Sequence, residues 1–124
     1  MRVVLGVLLA LSVSRQAREP VRLVAAVRAG VSALVVETDD GVRLNASTAP
    51  VLELADGRRV RFGHAPVTAD SAYFVGAPWA PRPAGARVRG HLRVAFCLRA
   101  EHFCRTALLR VELPREPSNG LGRR

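Results

Sequence analysis

The chain contains no lysine at all: its 19 basic residues are every one of them arginine. It is poor in aromatics, at 5%, and holds just two cysteines. It also lacks an apolar run of the roughly 20 residues that a membrane-spanning helix requires, so no span is expected in the mature chain. A net charge of +9 invites a nucleic-acid reading, but the pattern speaks against it. The arginines alternate with apolar residues, as in Arg59-Val60-Arg61 and Arg87-Val88-Arg89, instead of forming a basic run beside aromatic platforms. That is a solvated strand face, and the exclusive use of arginine points to codon bias as much as to selection for charge. No specific nucleic-acid partner is expected, although a basic surface attracts acidic proteins and anionic lipid non-specifically.

Other chemistries are missing too. There is no Ser/His/Asp motif, no phosphate-cradling glycine loop and no paired acid motif. Cys97, Cys104 and His102, with His64 or His91 as a fourth ligand, match no familiar zinc spacing. Neither a metal nor an organic cofactor is expected. Asn45-Ala46-Ser47 is formally a glycosylation site, relevant only in a eukaryotic secretory pathway.

What is present is a chain of 124 residues, 49% hydrophobic, which is enough for one domain with a real core. Its apolar content is mostly Val, Leu and Ala, and Val favours strands. Met1-Arg2, the apolar stretch Val3 to Leu11 and the small residues Ser12-Val13-Ser14 read as an export signal over residues 1–17, cleaved near 14–17; a first buried strand is the competing reading. The expected layout is then a β-domain over residues 18–114 and a flexible tail over 115–124. Export, to the periplasm or outside of a bacterium, sets an oxidising compartment in which two cysteines pair with each other.

Short apolar segments follow, divided by turn signals. Val21 to Arg28 and Val31 to Thr38 flank Ala29-Gly30, and Asp39-Asp40-Gly41 turns the chain into Val42 to Asn45. Pro50 to Ala55, Asp56-Gly57 and Arg58 to Phe62 read as a hairpin. Ser71 to Val75 is a further candidate strand. Gly76 to Gly85, with three prolines around Trp79, reads as a loop packed onto the domain. Two longer strands close the chain, Ala86 to Leu98 and Cys104 to Leu113. Turns every 8–12 residues and no convincing helix predict an all-β antiparallel β-sandwich of immunoglobulin-like type.

Period-two alternation fixes the last hairpin. Pairing Cys97 with Cys104 also sets Val94 by Ala107, Leu92 by Leu109 and Val88 by Leu113 on the buried face, and Arg89 by Glu112 on the other. A slip by one residue would ruin both faces at once. Arg105 opposite Phe96 is the exception, at a loop end where the pairing is expected to splay. Both cysteines fall on the face away from the aliphatic core, in an accessible position. The loop they close is short, so the bond is a weak staple by the chain-entropy account, and exposed weak bonds suit thiol–disulfide exchange. Arg93, Arg99, His102 and Arg105 lie near the pair in sequence and would favour thiolate, while Glu101 opposes them.

Two stretches resemble the N-terminal, periplasmic, immunoglobulin-like domain of the thiol:disulfide interchange protein DsbD family. One is Gly41-Val42-Arg43-Leu44-Asn45 with Ala49-Pro50-Val51-Leu52-Glu53-Leu54. The other is Gly90-His91-Leu92-Arg93-Val94-Ala95-Phe96-Cys97, then Cys104, then Val111-Glu112-Leu113. The resemblance implies that Cys97 and Cys104 are redox-active, a protein-disulfide reductase type of activity. Electrons would pass between protein partners, a thioredoxin-like protein or a membrane electron carrier. It further implies a covering loop with acidic and aromatic residues, which by position would be Asp70, Tyr73 and Phe74. The sequence departs from the family in a wider cysteine spacing, in Arg105-Thr106-Ala107 after the second cysteine, and in lacking transmembrane and thioredoxin-like domains. A non-enzymatic immunoglobulin-like module with a stabilising disulfide is the alternative, and which cysteine reacts stays open.

Overall fold

The computed structural model describes residues 19–84, 87–101 and 103–116. The segment read as an export signal, Ala86, His102 and most of the tail lie outside the described residues. Eight strands account for the architecture: β1 (Val21–Arg28), β2 (Val31–Thr38), β3 (Val42–Leu44), β4 (Val51–Leu54), β5 (Arg59–Arg61), β6 (Trp79–Pro81), β7 (Val88–Leu98) and β8 (Phe103–Leu113). The one helical piece among the described residues is a 3₁₀ turn, Arg99–Glu101. No helix among them is long and apolar enough to cross a membrane.

Among the described residues all strand pairs are antiparallel, in two sheets. The smaller runs β1-β2-β6. In the larger, β7 is central: β8 lies along one edge, while β3 and β4 follow each other along the opposite edge, with β5 outside β4. The faces pack as a β-sandwich. Val21, Leu34 and Val36 of the small sheet meet Leu52, Leu92, Val94 and Phe96 of the large one, and Phe62 fills the space between. Each such side chain contributes about 1.5–3 kcal/mol on burial.

Local sequence explains several of these elements. Ala33 to Val36 is an uninterrupted apolar run and is buried on both faces. The β7–β8 hairpin alternates instead, with one side in the core and one towards solvent. Ala29 and Gly30 both take positive φ, 52° and 79°, which makes the β1–β2 connection a two-residue primed turn matching the strand twist.

Three expectations need correction, and a fourth needs refinement. The proline-rich stretch is not all loop: Trp79–Pro81 forms β6 on the outer edge of the small sheet, where a proline costs least. Trp79 does pack onto the domain, stacked on His64 with centroids 4.6 Å apart. Ser71 to Val75 is not a strand; it is part of a tight loop touching the sheet through two isolated bridges, Asn45 with Tyr73 and Val67 with Phe74. The hairpin does not splay at Phe96 and Arg105, because the ladder continues to Leu98 and Phe103. Arg105 instead lays its guanidinium over the Phe96 ring, 5.2 Å from its centroid. Finally, Arg89 and Glu112 are register partners, but the Glu112 carboxylate reaches the diagonal Arg87 at 3.8 Å, an exposed pair of little energetic weight.

Candidate functional site: an edge-hairpin disulfide under a tyrosine

Cys97 and Cys104 are direct register partners on β7 and β8 and are joined by a disulfide. Their Cα atoms are 3.9 Å apart, which places them at a close, non-hydrogen-bonded position of the ladder. Because neighbouring Phe96 and Leu98 turn into the core, both sulfurs lie on the outer face of the large sheet. The rest of the predicted register holds as well: Val94 with Ala107, Leu92 with Leu109, and Val88 with Leu113.

Equal accessibility does not hold. Cys104 lies exposed on edge strand β8, whereas Cys97 is only 5% exposed. The cover comes from outside the hairpin. On the other side of β7, Arg43 of β3 is the register partner of Cys97. One step along, the Asn45 amide donates to the Ala95 carbonyl at 2.9 Å, and Asn45 in turn bridges to Tyr73. Tyr73 therefore stands on the same outer face, and its hydroxyl comes within 3.7 Å of Cys97 Sγ. A disulfide sulfur carries no proton, so the hydroxyl donates. The Arg43 guanidinium closes the stack, 4.0 Å from the centre of the Tyr73 ring.

The loop carrying Tyr73 is held at many points. Its backbone bonds run Thr68 N–H to Tyr73 O, Ser71 N–H to Thr68 O, Val75 N–H to Pro66 O and Phe74 N–H to Leu44 O, all at 2.8–3.0 Å. Asp70 Oδ1 accepts from the Thr68 hydroxyl at 2.7 Å and from the Ala72 amide at 3.0 Å. The Thr68 hydroxyl bond, then the Ala72 amide, hold the Asp70 carboxyl below its ordinary value, with a minor share from Arg43. Ser71 adopts a left-handed φ of 61°, a conformation that a non-glycine residue keeps only where its surroundings enforce it.

The residues singled out in the sequence thus separate. Tyr73 covers the disulfide, and Asp70 shapes the turn that presents it while remaining exposed itself. Phe74 faces the other way and packs against the core. Arg105 is on the opposite face of the hairpin, over Phe96. Arg93 shares the disulfide's face but pairs with Val51 and Leu108, four residues from the cysteines along β7 and β8. Arg99 opens the 3₁₀ turn and donates its amide to the Gly41 carbonyl. His102 lies outside the described residues. Arg43 was not anticipated: the alternation Val42-Arg43-Leu44 marks it as outward, but nothing local says that β3 will lie beside the end of β7. Among the described residues no cluster of three His, Cys, Asp or Glu side chains is placed to hold a metal. Asn45, of the formal glycosylation triplet, uses Oδ1 to accept from Ser47 Oγ and the Thr48 amide.

The fold and site define an antiparallel β-sandwich with a disulfide on the outer face of its edge hairpin. No family model, curated protein or solved structure matches the chain.

Proposed function

We propose that the chain is an exported thiol–disulfide exchange domain, working in the manner of the DsbD N-terminal immunoglobulin-like domain that its sequence resembles. The observation that carries this reading is the asymmetry of the bond: one sulfur on an exposed edge strand, the other beneath the hydroxyl of Tyr73. A purely structural sandwich disulfide normally ties the two sheets through the core; this one spans neighbouring strands of a single sheet.

The arrangement supports a two-step exchange. A thiolate of a partner dithiol protein attacks Cys104 Sγ, forming a mixed disulfide as the Cys97–Cys104 bond breaks. The electron pair departs on Cys97, whose thiolate accepts the Tyr73 hydrogen bond and then a proton. The partner's second thiolate attacks its own sulfur in the mixed disulfide and expels Cys104. The partner leaves oxidised by two electrons, and this chain carries two thiols until the reverse sequence passes them on.

Equilibration against a dithiol buffer tests the reading. A reduction potential of about −270 mV or higher is expected, whereas one below about −300 mV marks a structural bond and sinks the proposal. Trapping gives a second test. The Cys97→Ser variant, which leaves Cys104 free, should accumulate mixed disulfides from a periplasmic extract, and Cys104→Ser should accumulate few. The competing reading, a stapled structural module, draws on the burial of Cys97 and predicts no adducts with either variant.

A further inference from the structure

The outer face of the large sheet is covered in arginine. Register and alternation put Arg43 of β3, Arg59 and Arg61 of β5, Arg89 and Arg93 of β7, and Arg110 of β8 on the same side as the disulfide. Among the described strand residues, two carboxylates share that face, and both are occupied: Glu53 pairs with Arg59 at 2.9 Å, and Glu112 with Arg87; the Asp70 carboxylate of the Tyr73 loop lies near Arg43, at the disulfide end. Among the described residues, Arg61, Arg89, Arg93 and Arg110 have no carboxylate within ion-pair distance. Within this field Leu108, the register partner of Arg93, is 60% exposed. Cys104, Leu108 and Arg110 follow one another along the outer side of β8, over roughly 20 Å at the usual strand rise.

We propose that this face is the docking surface for the redox partner, and that the partner presents carboxylates around its reactive thiol. The inference rests on the exchange reading above and adds the chemical class of the partner. Charge complementarity selects the occupant. A sheet face with several unpaired guanidiniums repels a basic protein and steers an acidic one, raising the encounter rate at low salt. The disulfide's exposed sulfur lies at one end of that field, so a partner seated on the arginines with its thiol over Cys104 meets the bond from its open side. Leu108 supplies apolar contact between the charges, the usual anatomy of a small interface. Nucleic acid and anionic lipid would answer the same charge but bring no thiol to Cys104.

The probe is a pair of dithiol peptides, Cys-Gly-Pro-Cys flanked by glutamates in one and by lysines in the other. The reduction rate of the oxidised chain is followed with each, and with neutral dithiothreitol as reference. At low salt the acidic peptide should react about tenfold faster than the basic one, and the gap should close at high salt. The Arg93→Glu/Arg110→Glu variant should lose that advantage while its rate with dithiothreitol is unchanged. Arg28→Glu, on the other sheet, should keep it. Equal rates for the two peptides, with dithiothreitol reacting normally, would overturn the docking face and leave the exchange reading standing. Equal losses in the Arg28→Glu and the double variant would overturn it too, reducing the effect to overall charge. So would retention on phosphatidylglycerol vesicles or single-stranded DNA that the double variant abolishes while its peptide rates stay put. Failure of the exchange reading itself shows separately, as a potential below about −300 mV in the dithiothreitol titration.

Discussion

The hydroxyl of Tyr73 donates to the sulfur of Cys97 at 3.7 Å. This is a contact between a loop residue and the central strand of the sheet, and it makes the two ends of the disulfide chemically different. In the reduced chain the same hydroxyl would face a thiol. A hydrogen bond to a charged group is worth about 1.5 kcal/mol, close to one pKa unit. Tyr73→Phe is therefore expected to raise the Cys97 thiol pKa, read from ultraviolet thiolate absorbance in a Cys104→Ser background. Tyr73→Ala should in addition bring the alkylation rate of Cys97 up towards that of Cys104. An unchanged titration with Tyr73→Phe would show that the hydroxyl does not serve the thiolate.

Acid should loosen the loop that holds Tyr73. The Thr68 hydroxyl and the Ala72 amide keep the Asp70 carboxyl below its ordinary value of 3.8. A group whose pKa is depressed in the fold contributes stability above the ordinary value and loses it as pH falls through the folded one. Tyr73 is the sole tyrosine, so its ring resonances report the loop directly. They should shift as pH drops below 3.8, before global unfolding, and reduction by a phosphine should accelerate over the same range. Asp56 titrates in the same direction at the β4–β5 turn, so Asp70→Asn is the control. It should remove the pH dependence of the Tyr73 signal and leave that of Asp56.

Much of the hairpin could be read from the sequence because its information is local. Two strands joined by a short turn share one register, and the alternation of Leu92, Val94 and Phe96 with Arg93 and Ala95 permits only one that buries the right face. What failed was non-local. The burial of Cys97 depends on Arg43 and Tyr73, which stand 54 and 24 positions upstream of it, and no pattern around Cys97 announces them. Trp79–Pro81 escaped notice as a strand because Pro81 and the flanking Pro78 and Pro83 signal a loop, and only the free edge of β2 makes the pairing possible. Leu108 was legible as outward by parity, while its neighbours on the face required the order of β4, β5 and β7.

Gly90 is a tight point of the large sheet. A Cβ placed there would come within 2.1 Å of the Glu53 carbonyl oxygen and 2.9 Å of Leu54 Cα. Both are backbone atoms of β4, so no side chain can move aside. Gly90→Ala must push β4 from β7, and overpacking of this kind costs about 1–3 kcal/mol. Urea unfolding should show a lower midpoint at unchanged slope. An unaffected midpoint would mean that the two strands separate freely. Leu108→Ala, at an exposed position, should stay within about 0.5 kcal/mol of the parent.

The stability that the disulfide lends the fold bounds how firmly the fold holds the disulfide. The bond closes a separation of seven residues, a loop worth about 2.5 kcal/mol by chain entropy. The oxidised chain should therefore unfold at a temperature about 10–20 °C above that of the Cys97→Ala/Cys104→Ala variant, given about 4–8 °C per kcal/mol for a domain of this size. By the thermodynamic cycle linking oxidation to folding, the native state favours the oxidised pair over the unfolded chain by the same amount. At about 1.4 kcal/mol per 30 mV, that lowers the potential by about 55 mV and no more. A core staple lending 4–5 kcal/mol would lower it by nearly twice as much. Calorimetry of the two forms and redox titration in native buffer and in denaturant should thus agree on one small number. If oxidation proves to stabilise the fold by twice the expected amount, the bond is too firmly held for exchange at neutral cost, and the hairpin is a staple.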